Sequence, residues 1–134
     1  MASGQSKVVA TVTRPAKRDL SSYQFFPMKI DTDGLIDYAS TASGHVVIGI
    51  LQNKPEAAGE EAEVAILGTS LLEVDAGTDI NEGDFIGSED TSYHGVKVSA
   101  DEAMYFAIAL EPATEEGDII EVLLVGGTNF ISTT

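Results

Sequence analysis

The stretch IGILQNKPEAAGEEAEVAILG, residues 48–68, decides the fold class of this chain. It begins with an apolar run, passes through an acidic tip that contains Pro and Gly, and ends with apolar residues at every second position. Alternation with a period of two is typical of a half-buried strand, and the tip is too polar to lie in a core. The stretch therefore predicts two strands joined by a solvated loop.

A very similar pattern recurs at residues 107–126, which read AIALEPATEEGDIIEVLLVG. In both copies a Leu precedes Pro and an Ala- and Glu-rich turn, a Gly-acid pair follows, and Glu-Val leads into an apolar exit. The turn glycine and the exit glycine are nine residues apart in each copy, at Gly59 and Gly68 and at Gly117 and Gly126. One strand-loop-strand unit used twice predicts a pseudo-symmetric sheet.

Short apolar segments separated by turn signals make up the rest of the chain. The Asp-Gly pair at 33–34 predicts a hairpin turn, and a separate strand is expected at 70–74, after Gly68. The run AMYFAIAL at 103–110 fits a helix or a strand, and its place in the repeat favours a strand from about Tyr105. The pattern as a whole predicts an all-β protein, a small single-domain β-barrel or β-sandwich of short strands.

The composition narrows the possible classes further. A chain of 134 residues most economically forms one domain around one core. No apolar run of about 18 residues is present and no charged-then-apolar leader follows Met1, so neither a membrane span nor secretion is expected. The chain contains no Cys, which excludes disulfides, thiolate catalysis and Cys-ligated zinc, and fits synthesis in a reducing cytoplasm.

The charge is strongly negative and unevenly distributed. The net charge is -15, yet residues 1–30 hold five of the seven basic residues and only one acid. Residues 31–134 hold the other two basic residues and 21 acids. Such a body repels nucleic acid and anionic membranes, so neither is an expected partner. A basic segment on an acidic body suits docking on another acidic surface, including a second copy; the alternative is that the acidity only maintains solubility.

Residues 1–22 are predicted to form an extended basic N-terminal arm, ahead of a single β domain at 23–134. The arm contains an alternating segment, KVVATVT at 7–13, and a basic run, RPAKRD at 14–19, in which Pro15 interrupts any strand. An arm of this kind either becomes ordered against a partner or frays. The candidate partner-binding residues are its cations, for polar docking, and two valines, for strand pairing: Lys7, Val8, Val12, Arg14, Lys17 and Arg18.

The most aromatic segment follows the arm, YQFFPMKI at 23–30. Pro27 removes a backbone donor, so a strand here is expected at an edge or a bend. Aromatic residues at such a place either pack in the core or contribute to an interface. The candidate interface aromatics are Tyr23, Phe25 and Phe26.

Few residues of the chain are suited to catalysis or to metal binding. The two histidines, His45 and His94, lack the nucleophile that a triad needs, and GxSxG, GxGxxG and GxxxxGK(S/T) are absent. The segment DTDGLID at 31–37 has part of a calcium-loop spacing, but Lys29 and Ser40 occupy the terminal ligand positions, which favours a hairpin turn. Adjacent carboxylates at 60–61, 89–90 and 115–116 fall in loop tips, where surface charge is expected. No catalytic residue, metal site or cofactor is therefore predicted, although weak surface binding of a divalent ion stays open.

The segments GILQNKP and EVAILG, followed near the end by ALEPA and GDIIEVLL, resemble the small head-decoration or capsid cement proteins of tailed bacteriophages. The resemblance extends over roughly half of the chain, in the order that the family has these segments, and includes no catalytic fingerprint. It implies a compact barrel-like, β-tulip-like body. It also implies a homotrimer, placed where three capsid subunits meet.

Two functions from different classes follow. The first is a non-enzymatic structural virion protein, made in the host cytoplasm, that binds the outer surface of the capsid. There it would cement contacts between neighbouring major capsid subunits, its expected partners together with copies of itself. The alternative is a small trimeric β-fold ligand-binding protein or hydrolase, lectin-like or dUTPase-like, which only the β pattern and the abundant carboxylates support.

Overall fold

The fold is all-β, which confirms the predicted class. The computed structural model describes residues 7–77 and 79–132, and within them it has nine strands, one short 3₁₀ turn at Thr41–Ser43 and no α-helix. The strands are β1 (Val8–Pro15), β2 (Pro27–Ile30), β3 (Ile36–Tyr38), β4 (Gly49–Leu51), β5 (Glu61–Val74), β6 (Phe85–Ser88), β7 (Gly95–Lys97), β8 (Met104–Ala109) and β9 (Asp118–Phe130).

Strand β5 belongs to both halves of the sheet. Its first part pairs with β1 and β4, and β2 and β3 extend this half beyond β4. Its second part, Thr69 to Val74, pairs with β9. Pairings then run from β9 through β8, β6 and β7 back to β5, so that five strands close a barrel-like ring. The β5–β7 contact, Val74 opposite Gly95, is parallel, whereas the other pairings between these strands are antiparallel.

Two apolar clusters fill the two halves, and β5 contributes to both. Successive side chains of a strand point to opposite faces, so β5 buries Ala62 and Val64 while Glu61 and Glu63 stay exposed. The ring strands enclose the larger cluster, whose fully buried members include Leu72, Ile86, Phe106 and Ile120. The smaller cluster lies in the other half and includes Leu20, Met28, Ile36 and Leu51. Each such side chain contributes about 1.5–3 kcal/mol by leaving water.

The repeated sequence unit forms two similar hairpins, β4–β5 and β8–β9. Leu51 lies opposite Val64 in the first, and Ala109 lies opposite Val122 in the second. In each hairpin one side chain at the start of the loop accepts a hydrogen bond from the backbone of the returning strand. Asn53 Oδ1 accepts from Glu63 N at 2.9 Å, and Glu111 Oε1 accepts from Glu121 N at 2.7 Å. The sequence repeat aligns Leu51 with Leu110, but in the structure Ala109 takes the place that Leu51 has in the first hairpin. The first strand of the second hairpin is therefore shifted by one residue relative to the sequence repeat.

The separate strand that the sequence predicts after Gly68 is wrong, and the second exit glycine, Gly126, does not end a strand either. Strand β5 continues through Gly68, and β9 continues through Gly126 and Gly127 as far as Phe130. All three glycines have positive φ, and the β1–β5 and β8–β9 registers both shift near these positions. A glycine bulge redirects a strand without ending its ladder. As a result, β5 is 14 residues long and β9 is 13, longer than the predicted short strands.

Gly49 allows β4 to approach β5 more closely than any other residue would. A β-carbon at this position would overlap the carbonyl oxygen of Ala65 and lie 2.9 Å from Val64 Cγ1. We expect Gly49→Ala to lower the free energy of unfolding by about 3 kcal/mol, since backbone must move to admit the methyl group. Urea unfolding followed by circular dichroism measures the change. Gly77→Ala is the matched control, because a β-carbon there meets only Asp75 Oδ1 at 3.6 Å; an equal loss in both variants would contradict the prediction.

Candidate functional site

The strand segment of the predicted arm lies against the body of its own chain. Strand β1 pairs antiparallel with β5, with Val12 opposite Val64 and Arg14 opposite Ala62. Val8 and Val12 are half-buried, and Val8 packs against the larger core cluster. Ala16 and Leu20, which follow β1, are buried in the smaller cluster. The division into an arm at 1–22 and a domain at 23–134 stays a prediction.

The four candidate cations have different surroundings. Lys17 Nζ lies 3.0 Å from Asp31 Oδ2. Arg18 holds the buried Asp37 with two contacts of 2.9 Å, Nε to Oδ1 and Nη2 to Oδ2, and its guanidinium lies 4.9 Å from the centre of the Tyr38 ring. The hydrogen bond to Asp37 raises the pKa of Arg18 above its ordinary value.

Lys7 and Arg14, at the two ends of β1, are exposed, and no ion pair is formed by either among the described residues. The Lys7 backbone is fixed by Thr69: the Lys7 N–H donates to Thr69 Oγ1 at 2.7 Å, and the Lys7 carbonyl accepts from Thr69 N at 3.0 Å. The Arg14 side chain donates only to the adjacent Thr13 carbonyl, at 2.8 Å. These two cations are therefore available to a partner, whereas Lys17 and Arg18 are engaged within the chain.

The candidate interface aromatics belong to a connected group of rings. Phe26 is buried, and Tyr23 lies between the rings of Phe26 and Tyr38, with centroid distances of 5.2 and 4.8 Å. Tyr38 in turn contacts Tyr93 at 4.3 Å. Phe25 is half-buried against the larger cluster with φ +68°. An interface role for the three predicted aromatics stays a prediction.

The two histidines make structural contacts. His45 Nδ1 accepts a hydrogen bond from Ser40 N at 3.0 Å. His94 Nε2 lies 2.8 Å from Glu73 Oε2, and the His94 ring packs on Phe26. No cluster of three His, Asp or Glu residues suited to a metal ion occurs within residues 7–77 and 79–132. Across those same ranges there is no helix of the length and apolarity that crossing a membrane requires.

The calcium-like segment forms the hairpin turn that the sequence favours. It joins β2 to β3, with Ile30 opposite Ile36 and Gly34 at φ +80°. Asp31 Oδ1 accepts from Asp33 N at 2.9 Å and from Leu35 N at 3.0 Å. The hydrogen bond from Leu35 N, followed by the one from Lys17, lowers the pKa of Asp31. The carboxylate therefore acts as a turn cap and as the partner of Lys17.

An apolar groove lies where β5 and β9 part. The two strands pair as far as Thr69 and Leu123; beyond this point β5 turns toward β1 and β9 toward β8. The groove has a volume of about 490 Å³. Its lining residues are aliphatic or Gly: Val12, Ile30, Val46, Val47, Ile48, Ile66, Leu67, Gly126 and Gly127. Val46 is 61% exposed, Leu67 46% and Ile30 41%.

The floor of this apolar groove is fixed by one threonine of β9. Thr128 Oγ1 accepts from Val47 N at 2.8 Å and donates to the Val47 carbonyl at 2.9 Å. Val47 itself is fully buried. A buried backbone segment outside a strand needs such partners, and here a single hydroxyl satisfies both groups.

Four of the five segments around the apolar groove carry no acidic residue, and the fifth contributes Ile30, which precedes Asp31. Residues 7–16, 44–52, 64–72 and 122–132 include Lys7 and Arg14 but none of the 22 acids of the chain. We call the surface they form, together with the apolar groove, the acid-free face. Sequence reasoning missed this face, although a count of acids by segment shows the four acid-free stretches.

Comparison with known families identifies the protein class. The sequence profile of the phage cement proteins matches residues 4–124, which is most of the chain. The chain belongs to the phage cement protein family. No curated protein matches it at a significant level. Family membership confirms the resemblance of the hairpin motifs and gives this cement protein a structural, capsid-stabilising role.

The two engaged cations of this cement protein are expected to matter for stability. Arg18→Ala leaves the buried Asp37 carboxylate without its cation, and the Arg18 side chain is 45% exposed, so solvent screens part of the effect. We expect the free energy of unfolding to fall by about 1–3 kcal/mol, measured by urea unfolding at neutral pH. Arg14→Ala is the control, with a change of less than about 0.5 kcal/mol. Equal effects of the two substitutions would show that the ion pair between Arg18 and Asp37 contributes nothing to the free energy of unfolding.

Low pH is expected to weaken the β2–β3 turn, in which Asp31 pairs with Lys17. Because the folded pKa of Asp31 is below its ordinary value of 3.8, its contribution to stability is complete above that value and is lost as pH falls through the folded pKa. We expect the cement protein to lose stability as pH falls below about 4, and Asp31→Asn to lose less over this range. Asp33→Asn is the control, since the Asp33 carboxylate accepts no hydrogen bond within the described residues. Urea unfolding at a series of pH values tests this; parallel curves for wild type and Asp31→Asn would contradict it.

Proposed function

We propose that this cement protein binds the outer surface of a phage capsid and stabilises contacts between neighbouring major capsid subunits. The observation that carries the proposal is the family match over residues 4–124. Packaged DNA pushes outward on the shell, and a protein that engages two subunits at once raises the free energy needed to separate them. This role requires a surface that fits the capsid, repeated over many sites, and no reaction centre.

The first strand is the proposed contact element. Within the described residues β5 is the only strand that forms a ladder with β1, so the second edge of β1 offers backbone groups to a strand from the capsid. Val8 and Val12 would anchor β1 while its outer edge pairs, and Lys7 and Arg14 would contact acidic groups. Lys17 and Arg18 remain candidates, but each would have to exchange its carboxylate within the chain for one on the capsid.

Self-association into a homotrimer is part of the proposal. Three linked copies bound at one site gain avidity, because the second and third contacts form at high effective concentration. The aromatic residues Tyr23 and Phe25 are half-buried and are candidates for contacts between copies, while Phe26 supports them from the core. Neither nucleic acid nor membrane is proposed as a partner, since 22 acids against seven basic residues repel both.

A non-enzymatic role agrees with the lining of the apolar groove. The apolar groove is lined by aliphatic residues and glycine, whereas sites for sugars or nucleotides need placed polar groups that orient the ligand. The lectin-like or dUTPase-like alternative would require such groups. A thermal-shift screen against sugars, nucleotides and calcium distinguishes the two functions, because saturable stabilisation by one ligand would favour the alternative.

Binding to capsids tests the proposal directly. We expect the purified protein to bind undecorated heads saturably in a co-sedimentation assay. The double variant Lys7→Ala/Arg14→Ala should bind about fivefold more weakly, with a smaller dependence on salt, because two cations at the proposed contact are lost. Lys54→Ala/Lys97→Ala changes the net charge equally and should bind like the wild type. Absence of binding by the wild-type protein would refute the proposed function.

A further inference from the structure

The acid-free face differs from the rest of this surface in two ways at once. It exposes aliphatic side chains around a groove of about 490 Å³, and it carries Lys7 and Arg14, two of the four cations that form no ion pair with the described residues; Lys29 and Lys54 are the others. Asp31, the acid nearest in sequence to the groove residue Ile30, is already paired with Lys17. The segments that form this face therefore contribute no carboxylate that would repel an acidic partner, and the acids that border β1 are Glu61 and Glu63 of β5, opposite Pro15 and Thr13.

We infer that the apolar groove binds an extended aliphatic segment of a major capsid subunit whose flanks carry carboxylates. The inference rests on the proposed function and specifies where and how the partner is recognised. Val46, Leu67 and Ile30 supply apolar area that is in water in the free protein. Well-packed apolar contacts at the centre of an interface carry most of its binding energy, and charges at the rim mainly orient the partner.

The lining favours an aliphatic segment over a polar one. All nine lining residues are Val, Ile, Leu or Gly, so no side chain of the apolar groove can compensate a buried polar group of the partner. A polar segment would lose its hydrogen bonds to water without replacement. An extended conformation is expected because the groove adjoins β1, whose outer edge is open to strand pairing.

Charge favours the capsid over a second copy in a two-fold contact. In a two-fold dimer each acid-free face would meet an identical face, which has two cations and no carboxylate. Lys7 and Arg14 would then stay unpaired and repel their equivalents. A partner segment with carboxylates at its flanks pairs with both cations and inserts its aliphatic residues between them. The flanking carboxylates are thus the feature that identifies the occupant.

Two substitutions at one exposed position test both parts of the inference. Val46→Glu places a negative charge in the apolar groove beside the carboxylates of the partner. We expect its affinity for undecorated heads to fall at least about 30-fold. Val46→Lys also removes the apolar contact but adds a cation that attracts the partner, so a smaller loss of about fivefold is expected.

Leu110→Glu is the matched control, since Leu110 is 40% exposed and lies outside the groove; it should bind within about threefold of wild type.

The outcomes separate the inference from the proposed function. If wild-type protein binds heads but Val46→Glu binds as well as Leu110→Glu, the groove is not the contact and the inference is wrong while the function stands. If Val46→Lys binds no better than Val46→Glu, the inference that the partner segment carries carboxylates at its flanks is wrong. If wild-type protein does not bind heads at all, the function fails, and the inference with it.

Folding and self-association are checked with the same variants. Urea unfolding should give all three variants a stability close to wild type, because both positions are exposed. Sedimentation velocity reports the oligomeric state. An oligomeric wild type that Val46→Glu and Val46→Lys both dissociate would assign the groove to a contact between copies and overturn the inference. An unchanged state in all variants, together with the ranked loss of head binding, supports it.

Discussion

The hydrogen-bond ladder along β5 is the constraint on which the rest of the structure depends. One continuous strand forms part of the β1–β4 half and closes the five-stranded ring, so its 14 residues contribute to both apolar clusters. Gly68 makes this possible, since its positive φ redirects the strand without interrupting it. The two halves are therefore joined through the backbone of β5. In the proposed cement role such a shared element would be useful, because strain on one half would be carried by the other.

Charge is divided over the surface in a way that fits a binding protein. The acids lie mainly in loop tips and on exposed strand positions, whereas four of the five segments around the apolar groove have none. Two of the four candidate cations, Lys17 and Arg18, hold the segment after β1 on the body through Asp31 and Asp37. The arm that the sequence predicts as a docking element is thus already docked, on its own chain, through β1 and these two pairs.

The hairpins were predictable because their signals are local. Alternating residues, turn glycines and the nine-residue spacing lie within about 20 residues of each other, and the structure forms both hairpins from them. The ion pairs were not predictable, because Lys17 and Asp31 are 14 residues apart and Arg18 and Asp37 are 19 apart, with no periodic relation. The apolar groove joins residues from five separate segments between Val12 and Gly127, so only the tertiary fold reveals it. Strand continuation at Gly68 was missed because a glycine marks a bulge and a strand end equally well.

The pairing of Thr128 with Val47 has a consequence for the rate and cost of association. Because one hydroxyl satisfies both backbone groups of Val47, the floor beneath the exposed Val46 is already ordered in the free protein. A partner therefore meets a preformed surface and does not have to immobilise it, which spares the conformational entropy that a flexible loop would lose. For the proposed capsid segment we therefore expect rigid docking, in which differences in affinity arise mainly from how slowly the complex dissociates.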